Sequence, residues 1–208
     1  MKVSRRTQAD RTAATCAALV AAARPLFAEH GFAGVGTETI VKQAAVSRGA
    51  LYHHFADKTE LFAAVLNQVE GEVAGELAAV VLADGADADF VEAMTRAIDV
   101  WLDACERPEV QRIVLLDGPS VLGWSRWRAI CEPHILGLVE AALSQAMADG
   151  TIDALPVKPL AHVLLSVADE AALYVHSASD PKAARREMQS IAERILRSLT
   201  VEDGRPRP

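Results

Sequence analysis

The sequence predicts an all-α protein: an N-terminal three-helix head containing a helix-turn-helix, then a larger helical body, about nine helices in all. Apolar residues recur at helical spacing along most of the chain, and no run shows the period-two alternation of strands. Glycine stops (Gly31, Asp84-Gly85 and Asp149-Gly150) cut that pattern into helix-sized lengths. With 51% of its 208 residues apolar, the chain can bury a sizeable core.

Residues 1–9 read as a flexible basic arm, with Lys2, Arg5 and Arg6 free to touch phosphates or a minor groove. The first helix runs from about Asp10 to His30, with Cys16, Leu19, Val20, Ala23 and Phe27 on one face. Pro25 removes one backbone bond inside it, and Gly31 stops it. Thr37 reads as the N-cap of a second helix, with Ile40, Val41 and Ala44 behind it. Ala45 and Val46 break the pattern. Ser47 then caps a third helix with Leu51 and Phe55 on one face and Arg48, Gly49, Tyr52 and His53 on the other. A short helix with a polar, aromatic and basic outer face, braced by another helix, is how a helix-turn-helix enters the major groove. The head, residues 1–57, is therefore expected to bind double-stranded DNA.

Within it, the first amides of the helices capped by Thr37 and Ser47 are expected to point at phosphates. Arg48 is the expected base reader, since a guanidinium pairs bidentately with guanine. Gly49 lets the backbone approach closely, and Lys58 adds a phosphate contact from the first turn of the next helix. His54 and Phe55 are expected to be partly buried supports.

Ser47-Arg48-Gly49-Ala50-Leu51-Tyr52-His53-His54-Phe55, followed by Lys58 and Leu61-Phe62, resembles the recognition-helix signature of TetR-family transcriptional regulators. Leu26-Phe27-Ala28-Glu29-His30-Gly31-Phe32 is similar to the end of that family's first helix, and the match covers roughly residues 12–65 without a gap. The resemblance implies a homodimer and makes Tyr52 and His53 the phosphate-binding pair. One departure is visible: the family usually has glycine where this chain has Ala45. If that position takes positive φ, alanine there costs about 1 kcal/mol.

Residues 58–200 read as an effector-binding and dimerisation domain, and residues 201–208 as a disordered tail. A long helix from Lys58 to about Ala83 carries Leu61, Phe62, Val65, Leu66, Val69, Val73 and Leu77. Further helices are expected over Phe90 to Cys105 and Val110 to Leu116, the latter broken by Asp117-Gly118-Pro119. Another begins near Ser120 or Trp124, bends at Pro133 and ends at Asp149-Gly150; two more cover roughly 159–178 and 181–199. Bulky groups among many alanines suit an apolar cavity with a few polar anchors, for which Leu66, Trp101, Cys105, Leu115, Trp124, Trp127, His134 and Leu138 are the candidate lining. Leu164, Val167, Ala171 and Tyr174, with Met188, Ile191 and Ile195, are the candidate dimer face, since one recognition helix reads too few base pairs to be selective. His162, Asp169 and Glu170 are polar positions in an otherwise apolar helix, suited to the cavity floor or to the dimer interface.

Charge sharpens the division. Residues 1–60 hold eight Lys and Arg against five Asp and Glu, a formal +3 in a chain of −7, which leaves −10 on the rest. A basic end on an acidic body fits a localised polyanion site and argues against an architectural protein that is basic throughout. No apolar run reaches the ~20 residues of a membrane span, and no hydrophobic stretch follows the polar N-terminus, so neither a membrane segment nor a secretory signal is expected. Cys16, Cys105 and Cys131 are too few and too irregular for a disulfide framework, which suits reduced thiols in the cytoplasm.

Cys131 and His134 at i, i+3 supply two metal ligands where a site needs more, so no metal is expected. Asp117, Ser120 and His134 form a hydrolase triad only on paper, because no strand-turn-helix elbow surrounds Ser120. There is no phosphate loop or dinucleotide fingerprint, and no cofactor is expected. The expected function is a ligand-responsive regulator, a repressor released from a pseudo-palindromic operator by a small, mainly apolar effector, and not an enzyme. The alternatives are a thiol-redox regulator using Cys105 and Cys131, and an enzyme with an accessory DNA-binding head.

Overall fold

Residues 8–83 and 89–201 are described by a computed structural model, and among them the single strand-like pairing is an isolated bridge between Ile152 and Thr200. The arm carrying Lys2, Arg5 and Arg6, the Asp84-Gly85 stop and the polar tail after Val201 lie outside the described residues. The helices are α1 (Gln8–Gly34), α2 (Thr37–Gln43), α3 (Arg48–His54), α4 (Lys58–Ala83), α5 (Phe90–Glu106), α6 (Gly118–Leu122), α7 (Trp124–Cys131), α8 (Gly137–Ala148), α9 (Val157–Ser177) and α10 (Pro181–Arg197). Two π-helical stretches, Val110–Asp117 and Glu132–Leu136, precede α6 and α8. The chain forms two compact units: residues up to Val69 with Pro108–Ile130, and Glu70–Arg107 with the residues from Cys131 onward. The unit holding the helix-turn-helix is thus larger than the expected 1–57 head. It takes in about half of α4 and the segment Pro108–Ile130.

In that first unit the core is aromatic. The rings of Phe27, Phe32 and Phe62 meet pairwise at centroid separations of 5.9, 5.3 and 5.3 Å, with Leu19, Ile40, Leu51 and Leu61 fully buried nearby in sequence. The α1 backbone leaves helical geometry at Gly31 (φ 69°, ψ 167°), the stop read from the sequence, although the turn continues to Gly34. The released groups find partners. The Phe32 N–H donates to Asp117 Oδ2 at 2.7 Å, and the Phe32 and Val35 carbonyls accept from Lys58 Nζ at 2.7 and 2.9 Å. Arg24 grips Glu109 through two bonds of 2.8 and 2.9 Å.

The expected break at Asp117-Gly118-Pro119 is not there. Gly118 keeps helical angles (φ −51°, ψ −62°), and Pro119, in the first turn of α6, needs no intrahelical donor. The chain breaks instead at Gly123, with φ 75°. Gly118 serves packing: a Cβ there would lie 2.7 Å from Trp127 Cδ1 and 2.9 Å from Leu66 Cδ1. Ser120 donates its hydroxyl to the Leu116 and Asp117 carbonyls, while the Asp117 carboxylate accepts from the Phe32 N–H.

In the second unit α9 and α10 pack on α5 and on each other. Trp101 Nε1 donates to the Ala168 carbonyl at 3.2 Å, joining α5 to α9. Arg185 of α10 reaches Asp103 at 2.6 Å and Glu106 at 3.1 Å on α5, and Gln189 bonds Asp99. Asp180 caps α10 by accepting from the Ala183 N–H at 3.0 Å. No helix among the described residues is long and apolar enough to cross a membrane.

Candidate functional site

The exposed face of α3 is built from the inside outward. Ser47 caps the helix as expected, its hydroxyl accepting from the Ala50 N–H at 3.1 Å. Leu51 is fully buried and Phe55 nearly so. Each such side chain contributes roughly 1.5–3 kcal/mol of burial. A seven-residue helix is not stable by itself, so these anchors hold it in place. Opposite them Arg48, Gly49, Tyr52 and His53 face solvent, Tyr52 with 45% of its surface exposed.

The polar groups on that face are already ordered. Arg48 contacts Glu38 at 3.3 Å and lies 5.6 Å from the centroid of the Tyr52 ring. Hydrogen bonding from the Thr37 hydroxyl, then from Arg48, holds the Tyr52 phenol below the ordinary tyrosine pKa. His53 and His54 meet edge to face at 5.2 Å. A Cβ added at Gly49 would find only Ser47 Oγ, at 3.8 Å, so nothing in the protein itself requires glycine there.

Two expectations for this face change. Thr37 is the first residue of α2 and not its cap: Gly36 occupies the cap position, its carbonyl accepting from the Ile40 N–H at 3.3 Å, and Thr37 turns its hydroxyl to Tyr52. Lys58 is not a free surface cation. It donates to two carbonyls, lies 4.0 Å from the centroid of the Phe32 ring, and burial lowers its pKa. The helix end at Gly31 leaves carbonyls without intrahelical donors, and an ammonium beside them satisfies two at once.

The turn between α2 and α3 carries the alanine that departs from the expected glycine. Ala45 has φ 53°, the one positive φ among non-glycine residues described. The Ala45 N–H donates to Lys42 O at 3.2 Å and the Val46 N–H to Val41 O at 3.1 Å, the paired bonds of a Schellman motif with Ala45 in the left-handed place. Glu38 was missed in the sequence reading. It stands ten residues before Arg48, and only this turn brings the two together.

The eight candidate cavity residues are divided between the two units. Leu66, Leu115, Trp124 and Trp127 belong to the first unit. There Trp127 and Leu66 pack around Gly118, while Trp124 is 63% exposed and meets Trp127 in a tilted contact at 4.9 Å, with the Arg128 guanidinium over both rings. Trp124 is among the most exposed apolar side chains described, and it lines none of the described pockets. In the second unit Cys105 and Cys131 are buried, Cys131 donating its S–H to Glu70 Oε1 at 3.0 Å, and His134 lies beside Gly71. Trp101 and Leu138 do line an apolar cavity of about 60 Å³, with walls from α4, α5, α8, α9 and α10 and the Glu132–Leu136 stretch. His162 and Glu170 lie instead on a shallow outer groove between α9 and α10.

The candidate dimer face divides likewise. Leu164 and Ala171 are buried in the unit's own core, because they sit on the side of α9 turned to α5. Tyr174, Met188 and Ile191 lie on the outer side, where Val163 (57% exposed) joins them. Val167 and Ile195 line both the cavity and the outer groove, so the wall between the two is one side chain thick.

Comparison with known proteins settles what this arrangement belongs to. The profile of "Bacterial regulatory proteins, tetR family" matches residues 19–65, and that of "Tetracyclin repressor-like, C-terminal domain" matches residues 91–199. The chain belongs to the TetR family. The HTH-type transcriptional repressor AcnR of Corynebacterium diphtheriae is 30% identical over 140 residues, 64% of this chain and 68% of that protein. The Transposon Tn10 TetC protein of Escherichia coli is 26% identical over 150 residues, 71% of this chain and 73% of that protein. The crystal structure of a TetR-family transcriptional regulator from Pectobacterium atrosepticum superposes with a TM-score of 0.77 at 32% identity, covering 97% of this chain and all of the other. As a TetR-family protein the chain is a DNA-binding transcriptional regulator, and α3 lies within residues 19–65, the stretch that the tetR-family profile matches.

Proposed function

We propose that this TetR-family regulator is a homodimeric repressor that reads a pseudo-palindromic operator and is released by a small, mainly apolar effector. The observation that carries the proposal is the outer face of α3: a capped, core-anchored helix that presents Arg48, Gly49, Tyr52 and His53 together. Arg48 reads a base, and Tyr52 with His53 binds the backbone of one strand, the phenol donating to phosphate. Lys58 serves first to brace the head, since two of its three donors are used on the Phe32 and Val35 carbonyls. Thr37 acts by orienting Tyr52. Glu38 holds Arg48 until guanine replaces it, which penalises binding wherever no base rewards the exchange.

A second copy of the chain is the natural cover for the outer groove of α9 and α10, where Val163 and Ile191 present apolar surface, with Tyr174 exposed further along α9. Two heads then occupy half-sites about 34–36 Å apart, one turn of DNA. The effector enters the apolar cavity behind that groove. Because Val167 and Ile195 face both spaces, filling one reshapes the other. The effector shifts the equilibrium only as far as it prefers the non-binding arrangement. Its site of action is the cytoplasm, with the chromosome. The thiol-redox alternative is disfavoured: burial first, then the charges of Asp169 and Glu70, push the Cys105 thiol above its ordinary range, away from the reactive thiolate.

Fluorescence anisotropy with the chain's neighbouring promoter DNA tests the reading. Wild type binds specifically, and Arg48→Ala keeps its weak non-specific affinity while losing discrimination. Equal loss on all sequences would make Arg48 a phosphate contact only.

A further inference from the structure

The cavity in the second unit makes a statement about the chemistry of its occupant, and that statement rests on the effector reading above. Every side chain in its wall is Ala, Val, Ile, Leu, Met or Trp. The one polar atom among them, Trp101 Nε1, already donates to the Ala168 carbonyl at 3.2 Å. No ionisable side chain is among the cavity's lining residues; His162 and Glu170 line the outer groove, and Glu70 accepts from Cys131. The space of about 60 Å³ has room for roughly two waters, and its side chains offer them almost no hydrogen-bond partner.

Room is set by alanines. Ala97 of α5, Ala142 of α8, Ala168 of α9 and Ala192 of α10 each give a wall where a larger residue would close the space. Apolar cavities that hold benzene are about 150 Å³, so a single ring fits here only after the walls yield. Met94 and Leu138 are the walls most able to do so, the first for its unbranched, adaptable chain.

We infer that this site takes a neutral, monocyclic, hydrocarbon-like molecule without a charged or strongly hydrogen-bonding group, and that Ala97, Ala142, Ala168 and Ala192 set its size. A charged head would be stripped of water and given nothing in return. An alcohol would lose one bond to water and gain none.

Titration calorimetry and thermal melting of the full chain with toluene, benzyl alcohol, benzylamine and benzoate test this, because the four share one ring and differ in the head group. Toluene binds saturably and raises the melting temperature, benzyl alcohol binds about tenfold more weakly or worse, and the two ions do not saturate the site. An ion that binds as tightly as toluene overturns the inference. Ala142→Leu, at a half-buried position, fills the space without disturbing the core. It melts no lower than wild type and loses toluene by about tenfold or more; unchanged toluene affinity places the ligand elsewhere and also overturns it. A fragment collection scored for operator release separates the two readings. Release by charged fragments alone sinks this inference and leaves the effector reading intact. No release by any fragment, with DNA binding unimpaired, sinks the effector reading even where toluene binds the cavity.

Discussion

Replacing Ala45 with glycine should stabilise the protein without touching its DNA affinity. Ala45 occupies the left-handed place of the Schellman turn at φ 53°, where a Cβ costs roughly 1–2 kcal/mol. Glycine relieves that strain but also loosens the unfolded chain, which costs about 0.4–1 kcal/mol. Ala45 is exposed, so removing its methyl forfeits no burial. The balance is a gain of about 0.5–1 kcal/mol, or an increase of roughly 1–4 °C in melting temperature for a protein of this size. Differential scanning calorimetry reads the shift. Hydrogen exchange localises it, because the Ala45 and Val46 amides close the turn through Lys42 and Val41. Operator affinity should stay within about twofold, since the turn keeps its geometry. Ala45→Val should act oppositely, a branched side chain being worse in that conformation. A lower melting temperature for Ala45→Gly would refute the reasoning. It would mean that the alanine methyl is held by contacts stronger than the strain.

Other substitutions probe the same physics. Lys58→Met removes the ammonium from the Phe32 and Val35 carbonyls, leaving Phe32 only the longer bond from the Val35 N–H, and should lower stability by roughly 1–3 kcal/mol in chemical denaturation, with the salt slope of DNA binding unchanged. Gly118→Ala forces a Cβ into Trp127 and Leu66 and should cost about 1–3 kcal/mol in the same assay. DNA affinity should fall at alkaline pH, beginning below the ordinary tyrosine value of 10.0, as Tyr52 loses its proton and its charge repels phosphate; Tyr52→Phe binds more weakly at neutral pH and lacks that alkaline fall. Ile191→Glu, at a half-exposed position on the outer groove, should yield monomers in sedimentation and abolish tight operator binding while leaving the melting of each chain nearly unchanged.

The head was the more legible part of the sequence, for physical reasons. Ser47, Leu51 and Phe55 act through local spacing, and spacing is written in the sequence. The Ala45 conformation followed from a single departure in a known turn. Thr37 and Lys58 were misread because their partners are far along the chain: Tyr52 takes the Thr37 hydroxyl, and the frayed end of α1 takes the ammonium. Glu38 was invisible until the turn joined it to Arg48. The body was read correctly as helices but not as a site. Helical periodicity tells that Leu164 and Tyr174 lie near one stripe, yet not which side of the stripe meets α5. Trp124 looked like a cavity aromatic because size and apolarity do not reveal exposure. Gly118 looked like a helix break, but close packing against Trp127 was its reason.

The account stands or falls on whether the α3 face reads sequence. Selection of bound genomic fragments by purified wild-type and Arg48→Ala protein, at two salt concentrations, tests it most directly. Wild type should recover a shared two-fold-symmetric site with half-sites about one turn of DNA apart, retained at the higher salt, and Arg48→Ala should lose one base preference in each half-site. Fragments with no common sequence, released together as salt rises, would contradict it and leave only phosphate contacts.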